Sequence, residues 1–204
     1  MRSRKLFIAS VAIIAMLTGA WLSYRLLVPP PMPRTATVFP APAELPEFSL
    51  LDQYGKPFDR QAFAGEWSLV FFGFTHCPDI CPLTLQVLAS ARKELSDAGH
   101  EPLPRIIFIS VDPERDTADV IGQYVAHFSD DIVAIRGELD ELRKLTSGLG
   151  IFFEKSPVDS DDYSVDHSSA VLVINPQGQF HALFSAPHKA GNFSHDLPII
   201  MSSR

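Results

Sequence analysis

The chain opens with an uncharged stretch, residues 6–24 (LFIASVAIIAMLTGAWLSY), of about 19 residues, the length an α-helix needs to cross the hydrocarbon core of a bilayer. Arg2, Arg4 and Lys5 precede it, and positive charge holds that end in the cytoplasm and sends the remainder of the chain outward. A cleaved signal peptide is the competing reading, because Thr18-Gly19-Ala20 ends in the small residues a signal peptidase accepts. Apolar sequence continuing through Trp21, Leu22 and Tyr24 favours the anchor. No cysteine follows Leu17-Thr18-Gly19, which argues against a lipid attached there. Either way the folded body lies outside the cytoplasm.

Residues 29–46 (PPPMPRTATVFPAPAELP) are proline-rich without a repeating apolar pattern, as in an extended spacer. Strand and helix patterns alternate from there. Residues 48–50 with the turn at 54–57 predict an opening hairpin, and the nearly all-apolar run 67–74 (WSLVFFGF) predicts a strand hydrophobic on both faces. Such a strand belongs in the middle of a parallel or mixed sheet. Pro82 suits the first turn of a helix, and 83–95 continues with helical spacing. A second buried strand (105–111), a helix (117–128), a short strand (132–135) and another helix (138–149) come next. Residues 169–174 and 179–184 flank Asn175-Pro176-Gln177-Gly178, a turn that closes an antiparallel hairpin. A last helix over 189–201 is predicted against the resistance of Gly191 and Pro198. This alternation describes an α/β sheet with helices on both faces. The expected organisation is a cytoplasmic stub and anchor over 1–28, a linker over 29–46 and one folded domain over 47–204.

Charge narrows the partners. The net −7 understates the acidity of the body, because Arg2, Arg4, Lys5, Arg25 and Arg34 lie in the first 34 residues, which contain no acid. The remainder sets 12 Lys/Arg against 24 Asp/Glu, a net −12. Such a surface repels a phosphate backbone, so nucleic acid is excluded as a partner.

The two cysteines, Cys77 and Cys81, stand four positions apart in Thr75-His76-Cys77-Pro78-Asp79-Ile80-Cys81-Pro82. They rule out a framework of structural disulfides and read as chemistry. Residues i and i+4 share one helix face, so both sulfurs can converge on one point. The positive end of the helix stabilises thiolate, the form that binds metal and attacks disulfides. Three intervening residues with two prolines make a wider, stiffer loop than the two-residue spacing of thioredoxin-type oxidoreductases, leaving room for an ion. Thiolates favour soft metals, and two cysteines cannot complete an all-cysteine zinc or iron–sulfur site. Cu(I), content with two or three ligands, fits best. A buried apolar pair or a simple stapling disulfide is the bland alternative.

Three segments in order, Phe72-Gly73-Phe74-Thr75-His76-Cys77-Pro78-Asp79-Ile80-Cys81-Pro82, Val111-Asp112-Pro113-Glu114-Arg115-Asp116-Thr117 and Val165-Asp166-His167-Ser168, resemble the Sco/SenC family of copper-binding assembly factors for cytochrome c oxidase. The resemblance implies a thioredoxin-like central mixed sheet flanked by helices, one N-terminal transmembrane helix and copper bound by Cys77, Cys81 and His167. It implies a single-pass inner-membrane protein whose domain faces the periplasm. The implied role is metallation of the binuclear copper centre of the oxidase's second subunit, by delivering copper or by reducing that subunit's cysteines. A periplasmic copper donor and a thiol reductant are the further partners implied, and Cu(II) is a second metal state to consider.

Position alone leaves His167 open between a nitrogen donor facing the sulfurs, just ahead of the strand at 169–174, and an exposed loop residue. His76 is the nearest competitor, as an outer or transfer group beside Cys77, and His188 is a more distant one. Asp112, ending a central strand at the cysteine-loop edge, is read as a hydrogen-bond partner of a ligand or as a turn former ahead of Pro113. Asp166 is read as orienting His167. Three functions compete. A metallochaperone needs no enzymatic turnover. A thiol-disulfide reductase would use Cys77 and Cys81 as its redox pair, cycling through their disulfide. A peroxiredoxin-like peroxidase is disfavoured because Thr75 stands two residues before Cys77, where a Thr-x-x-Cys arrangement is expected.

Overall fold

A computed structural model describes residues 2–27, 31–158 and 163–202. It divides into two compact units, Met1–Met32 and Pro33–Arg204. The first is helix α1 (Arg2–Leu27). Its described apolar side chains, among them Ile8, Ile13, Ile14, Leu17 and Trp21, are exposed. Among the described residues no helix is long and apolar enough to cross a membrane. The expected span starts at residues 6 and 7, whose side chains lie outside the described residues, as do linker residues 28–30.

The second unit is built on the strand that the apolar run 67–74 predicts. Strand β4 (Ser68–Gly73) is buried at every residue, which requires neighbours on both edges and cover on both faces. Along one edge runs β5 (Arg105–Ser110), parallel, in register from Ser68 opposite Arg105 to Gly73 opposite Ser110. Along the other runs β9 (Val171–Ile174), antiparallel, with Phe71 opposite Val171. Helix α2 (Ile80–Asp97) provides the crossover from β4 to β5 that a parallel pair needs. Helix α3 (Ala118–Ala126), capped by Thr117, leads to β6 (Ile132–Arg136), parallel to β5. An antiparallel hairpin, β2 (Ser49–Asp52) with β3 (Pro57–Asp59), closes that side against β6.

On the other side β10 (Gln179–Phe184) returns antiparallel to β9. The eight-stranded order is β1-β10-β9-β4-β5-β6-β2-β3, where β1 is Thr37–Glu44. Helix α4 (Leu139–Gly148) contacts β2, and α5 (Ala190–Ser202) packs on α2 despite Pro198 in its interior.

Two differences from the sequence-based expectation matter. The folded unit does not start near Glu47: the proline-rich stretch contributes β1, an edge strand paired with β10. Pro40 and Pro42 lack the N–H of a central strand but are tolerated at an edge, and the register shifts between Val38 and Ala43, where they lie. Phe39 packs edge-on against Phe180 at 4.9 Å between ring centroids. The second difference is an extra hairpin, β7 (Phe153–Pro157) with β8 (Tyr163–His167), a separate two-stranded sheet where a loop is expected. Its alternation is short and its composition polar, so period-2 patterning gives little signal.

The start of this unit is fastened by one buried carboxylate. Asp196 of α5, with no exposed surface, accepts the N–H groups of Arg34 (2.9 Å), Thr35 (2.8 Å) and Ala36 (2.9 Å) and the Thr35 hydroxyl (2.8 Å). Burial alone would raise its pKa, but these N–H groups and the His195 ring outweigh burial and hold it well below the usual carboxylate range. Asp196→Ala should therefore cost roughly 3 kcal/mol, the scale for removing one partner of a buried charged network, read as a lower urea midpoint. Because the folded-state pKa is depressed, this contribution is complete above a carboxyl pKa of about 4 and is lost as pH falls further. The gap between wild type and variant should shrink in acid.

Candidate metal centre

Strand β4 ends at Gly73, and the chain turns through residues 74–79 into the N-terminus of α2. The turn is closed by Cys77 N–H donating to the Phe74 carbonyl (3.3 Å). Asp79, at the capping position, makes no side-chain cap, and the Cys81 N–H points at the Cys77 sulfur (3.4 Å). An open N–H of a helix terminus thus faces a sulfur, as the strand-to-helix position of the pair leads one to expect. Cys81 is fully buried and Cys77 is 9% exposed, and both are free thiols.

His167 arrives from the other side of the sheet. It is the last residue of β8, four positions before β9 begins beside the end of β4. Its Nε2 lies 3.3 Å from Cys81 Sγ, and its Nδ1 lies 3.1 Å from the Ser168 carbonyl. A carbonyl can only accept, so Nδ1 carries a proton, and Nε2 is the ring atom that faces the sulfurs, able to donate to a thiolate when protonated and to ligate a metal when not. Phe71 and Phe74 stand edge-on to the imidazole, each 5.9 Å between centroids, and fix its plane. The donor atoms of Cys77, Cys81 and His167 all lie within 4.8 Å of one another. Two sulfurs and one imidazole nitrogen form a soft, three-donor set suited to Cu(I).

The two thiols do not share charge evenly. The Cys81 side chain donates a hydrogen bond to Cys77 and, against the effect of burial, holds its pKa down to about 4, helped by His167 and the Cys81 and Asp79 N–H groups. Cys81 is pushed far up by the same bond, which requires it to keep its proton, and by burial. The pair therefore favours thiolate on Cys77 and thiol on Cys81. Gly73 lies under the pair: a Cβ there would stand 3.0 Å from Cys81 Sγ and 2.9 Å from the Phe108 ring.

A buried acidic residue fixes the loop. Asp116, without exposed surface, accepts the Thr75 N–H (3.1 Å), the Thr75 hydroxyl (2.6 Å) and the Ser110 hydroxyl (2.5 Å). Sequence reasoning assigns Asp116 no role. Its signal is an acid shortly after an apolar strand that ends at the cysteine-loop edge.

The other predicted participants fall outside the cluster. Asp112 is also fully buried, but its oxygens go to Arg115 Nε (2.5 Å) and the Tyr163 hydroxyl (2.7 Å). It serves this structural network instead of bonding a sulfur or His167. Asp166 does not orient His167. Adjacent strand residues face opposite sides, and Asp166 accepts from Ser156 Oγ across the hairpin (2.5 Å), while Ser168 fixes the imidazole. His76 is exposed and pairs with Thr75 Oγ1 (3.1 Å). His188 is tied to the Ser169 carbonyl (2.7 Å).

Two measurements probe this arrangement. In thiolate ultraviolet absorbance of reduced, metal-free protein, one thiolate should persist as pH falls until about 4, whereas an ordinary thiol is protonated below about 8.5. His167→Ala should raise that midpoint. Gly73→Ala should leave the circular dichroism spectrum unchanged but displace Cys81 Sγ, seen as a shifted thiolate titration.

The SCO1/SenC family profile matches residues 39–202. A mouse "Protein SCO2 homolog, mitochondrial" is 39% identical over 66% of this chain and 53% of its own length, so the chain spans about half of that relative. A "Putative copper-binding protein" of Stutzerimonas stutzeri is 31% identical over 81% of each chain. The crystal structure of Arabidopsis thaliana ScoI with copper bound superposes with a TM-score of 0.74 at 29% identity, covering 79% of this chain and 100% of that one. Its fold is the thioredoxin-like mixed sheet of Sco proteins. By profile, by sequence and by fold, the chain belongs to the SCO1/SenC family.

Proposed function

We propose that this protein binds copper as Cu(I) through Cys77, Cys81 and His167 and passes it to the copper-accepting subunit of cytochrome c oxidase. The observation that carries the reading is the convergence of two sulfurs and one imidazole nitrogen within 4.8 Å, beside an open cleft lined by Cys77 and His167. Relatives described as copper-binding or solved with copper support the metal. The acceptor rests on family membership, and α1 is proposed as the membrane anchor that holds the domain on the periplasmic face. In the metal-free state Cys81 carries a proton, so binding by both thiolates releases it and affinity falls as pH drops. A Cu(II) ion would use the same three donors.

A second reading is favoured by geometry, the open Cys81 N–H of the helix terminus aimed at Cys77 Sγ beside a free Cys81, which favours thiolate on Cys77. As a reductase, the Cys77 thiolate attacks one sulfur of a partner disulfide and expels the other as thiolate. Cys81, its proton passed to the expelled thiolate, then attacks the Cys77 sulfur of the mixed disulfide, releasing the second partner sulfur as thiolate and leaving Cys77 and Cys81 joined. The dithiol supplies both electrons.

Titration of the reduced, detergent-solubilised full chain with Cu(I), in competition with a chelator of known affinity, separates the two. One tight equivalent is expected. Cys77→Ser, Cys81→Ser and His167→Ala should each weaken it by more than about 100-fold, beyond the 10- to 100-fold typical of losing an outer partner of a ligand. His167→Ala should leave exchange with a disulfide substrate little changed. No competitive binding together with intact exchange would select the reductase.

A further inference from the structure

The segment between β5 and α3 holds both of the chain pieces that carry the three donors. At one end, Asp116 grips Thr75, two residues before Cys77. At the other, Asp112 and Arg115 grip Tyr163, four residues before His167. The Tyr163 hydroxyl donates to Asp112 Oδ1 (2.7 Å), and Arg115 Nε donates to Asp112 Oδ2 (2.5 Å). Arg115 Nη1 donates to the Tyr163 carbonyl (2.9 Å), and the guanidinium lies 3.7 Å from the Tyr163 ring centroid. The same guanidinium sits 5.8 Å from the centroid of Phe74, whose ring is edge-on to His167. Lys155 of the paired strand covers the Tyr163 ring at 4.5 Å and bonds Glu114 at 2.6 Å.

Strand geometry turns these contacts into a positioning argument. Residues i, i+2 and i+4 of a strand face the same side. Tyr163, Val165 and His167 therefore point toward the body together: Tyr163 onto Arg115 and Asp112, Val165 into the core at 3% exposure, and His167 onto Cys81. Because β7 and β8 form their own sheet, among the described residues no ladder of main-sheet hydrogen bonds fixes their distance from the cysteine loop. The end of β8 remote from His167 is held instead by buried charge and an aromatic contact, a directional link stronger than a surface ion pair.

We infer that Asp112, Arg115 and Tyr163 act as a positioning bracket that sets the separation of His167 from the two sulfurs. None of their described contacts is to a donor atom; they act through the hairpin that carries one. The inference rests on the metal site proposed above, deepens it with three positioning residues, and can be tested apart from it.

Tyr163→Phe keeps the ring stack and removes the bond to Asp112. In metal-free full chain, hydrogen exchange of the amides of residues 164–168 should accelerate, with the main-sheet strands unchanged; unaltered exchange would overturn the bracket whether or not the protein binds copper. In Cu(I) competition the same variant should bind about tenfold more weakly, the scale of one charged hydrogen bond. Combined with His167→Ala it should add no further loss, because the effect runs through His167. Losses that simply add would show a general weakening of the fold and overturn the inference. A wild-type protein with no copper affinity would instead overturn the metal reading, leaving the exchange result to decide the bracket. Arg115→Lys, which keeps the charge but not the planar fork, should behave like Tyr163→Phe.

Discussion

The antiparallel pairing of β4 with β9 governs where chemistry can occur in this molecule. Because β4 is apolar on both faces, it occupies the interior of the sheet, and its C-terminal end delivers the cysteine loop there. Antiparallel pairing then makes the beginning of β9 the neighbour of that same end, with Phe71 opposite Val171. A residue a few positions ahead of Val171 must pass beside the cysteine loop. His167 is such a residue, so one register brings it to Cys81 across 86 positions of chain.

The carboxylates buried around this crossing point are paired, as the cost of leaving a buried charge unmatched demands. Asp116 joins Ser110 at the end of β5 to Thr75 in the cysteine loop, and Asp112 joins Arg115 to Tyr163. The two carboxylates lie four residues apart and serve different segments. The loop after β5 thus works as scaffolding for its neighbours.

Much of the fold is legible in the sequence because it rests on long apolar runs. The two central strands, the helices between them and the Asn175-Pro176-Gln177-Gly178 turn all follow from period and punctuation. Elements that depend on tertiary context are not legible. β1 is a strand because an edge tolerates Pro40 and Pro42 and because Asp196 captures the backbone before it, facts that lie outside the segment itself. The β7 and β8 hairpin is held by Tyr163 and Arg115 more than by any alternation of its own. In the site, cysteine spacing and the strand-to-helix position are read directly, whereas the destinations of Asp112 and Asp166 are not. A carboxylate near a ligand in sequence has several partners within reach, and only the packed structure decides among them.

The burial of Cys81 gives the site a direction. Cys81 has no surface of its own and does not line the open cleft, whereas Cys77 and His167 do. Exchange of a bound ion through the open cleft would then be stepwise and ordered. On the copper-transfer reading, an incoming donor would meet the outer thiolate or the imidazole first, and the inner sulfur would let go last. Such an order would keep a soft, toxic cation attached to at least one protein atom until a receiver had a hold on it, never free in water.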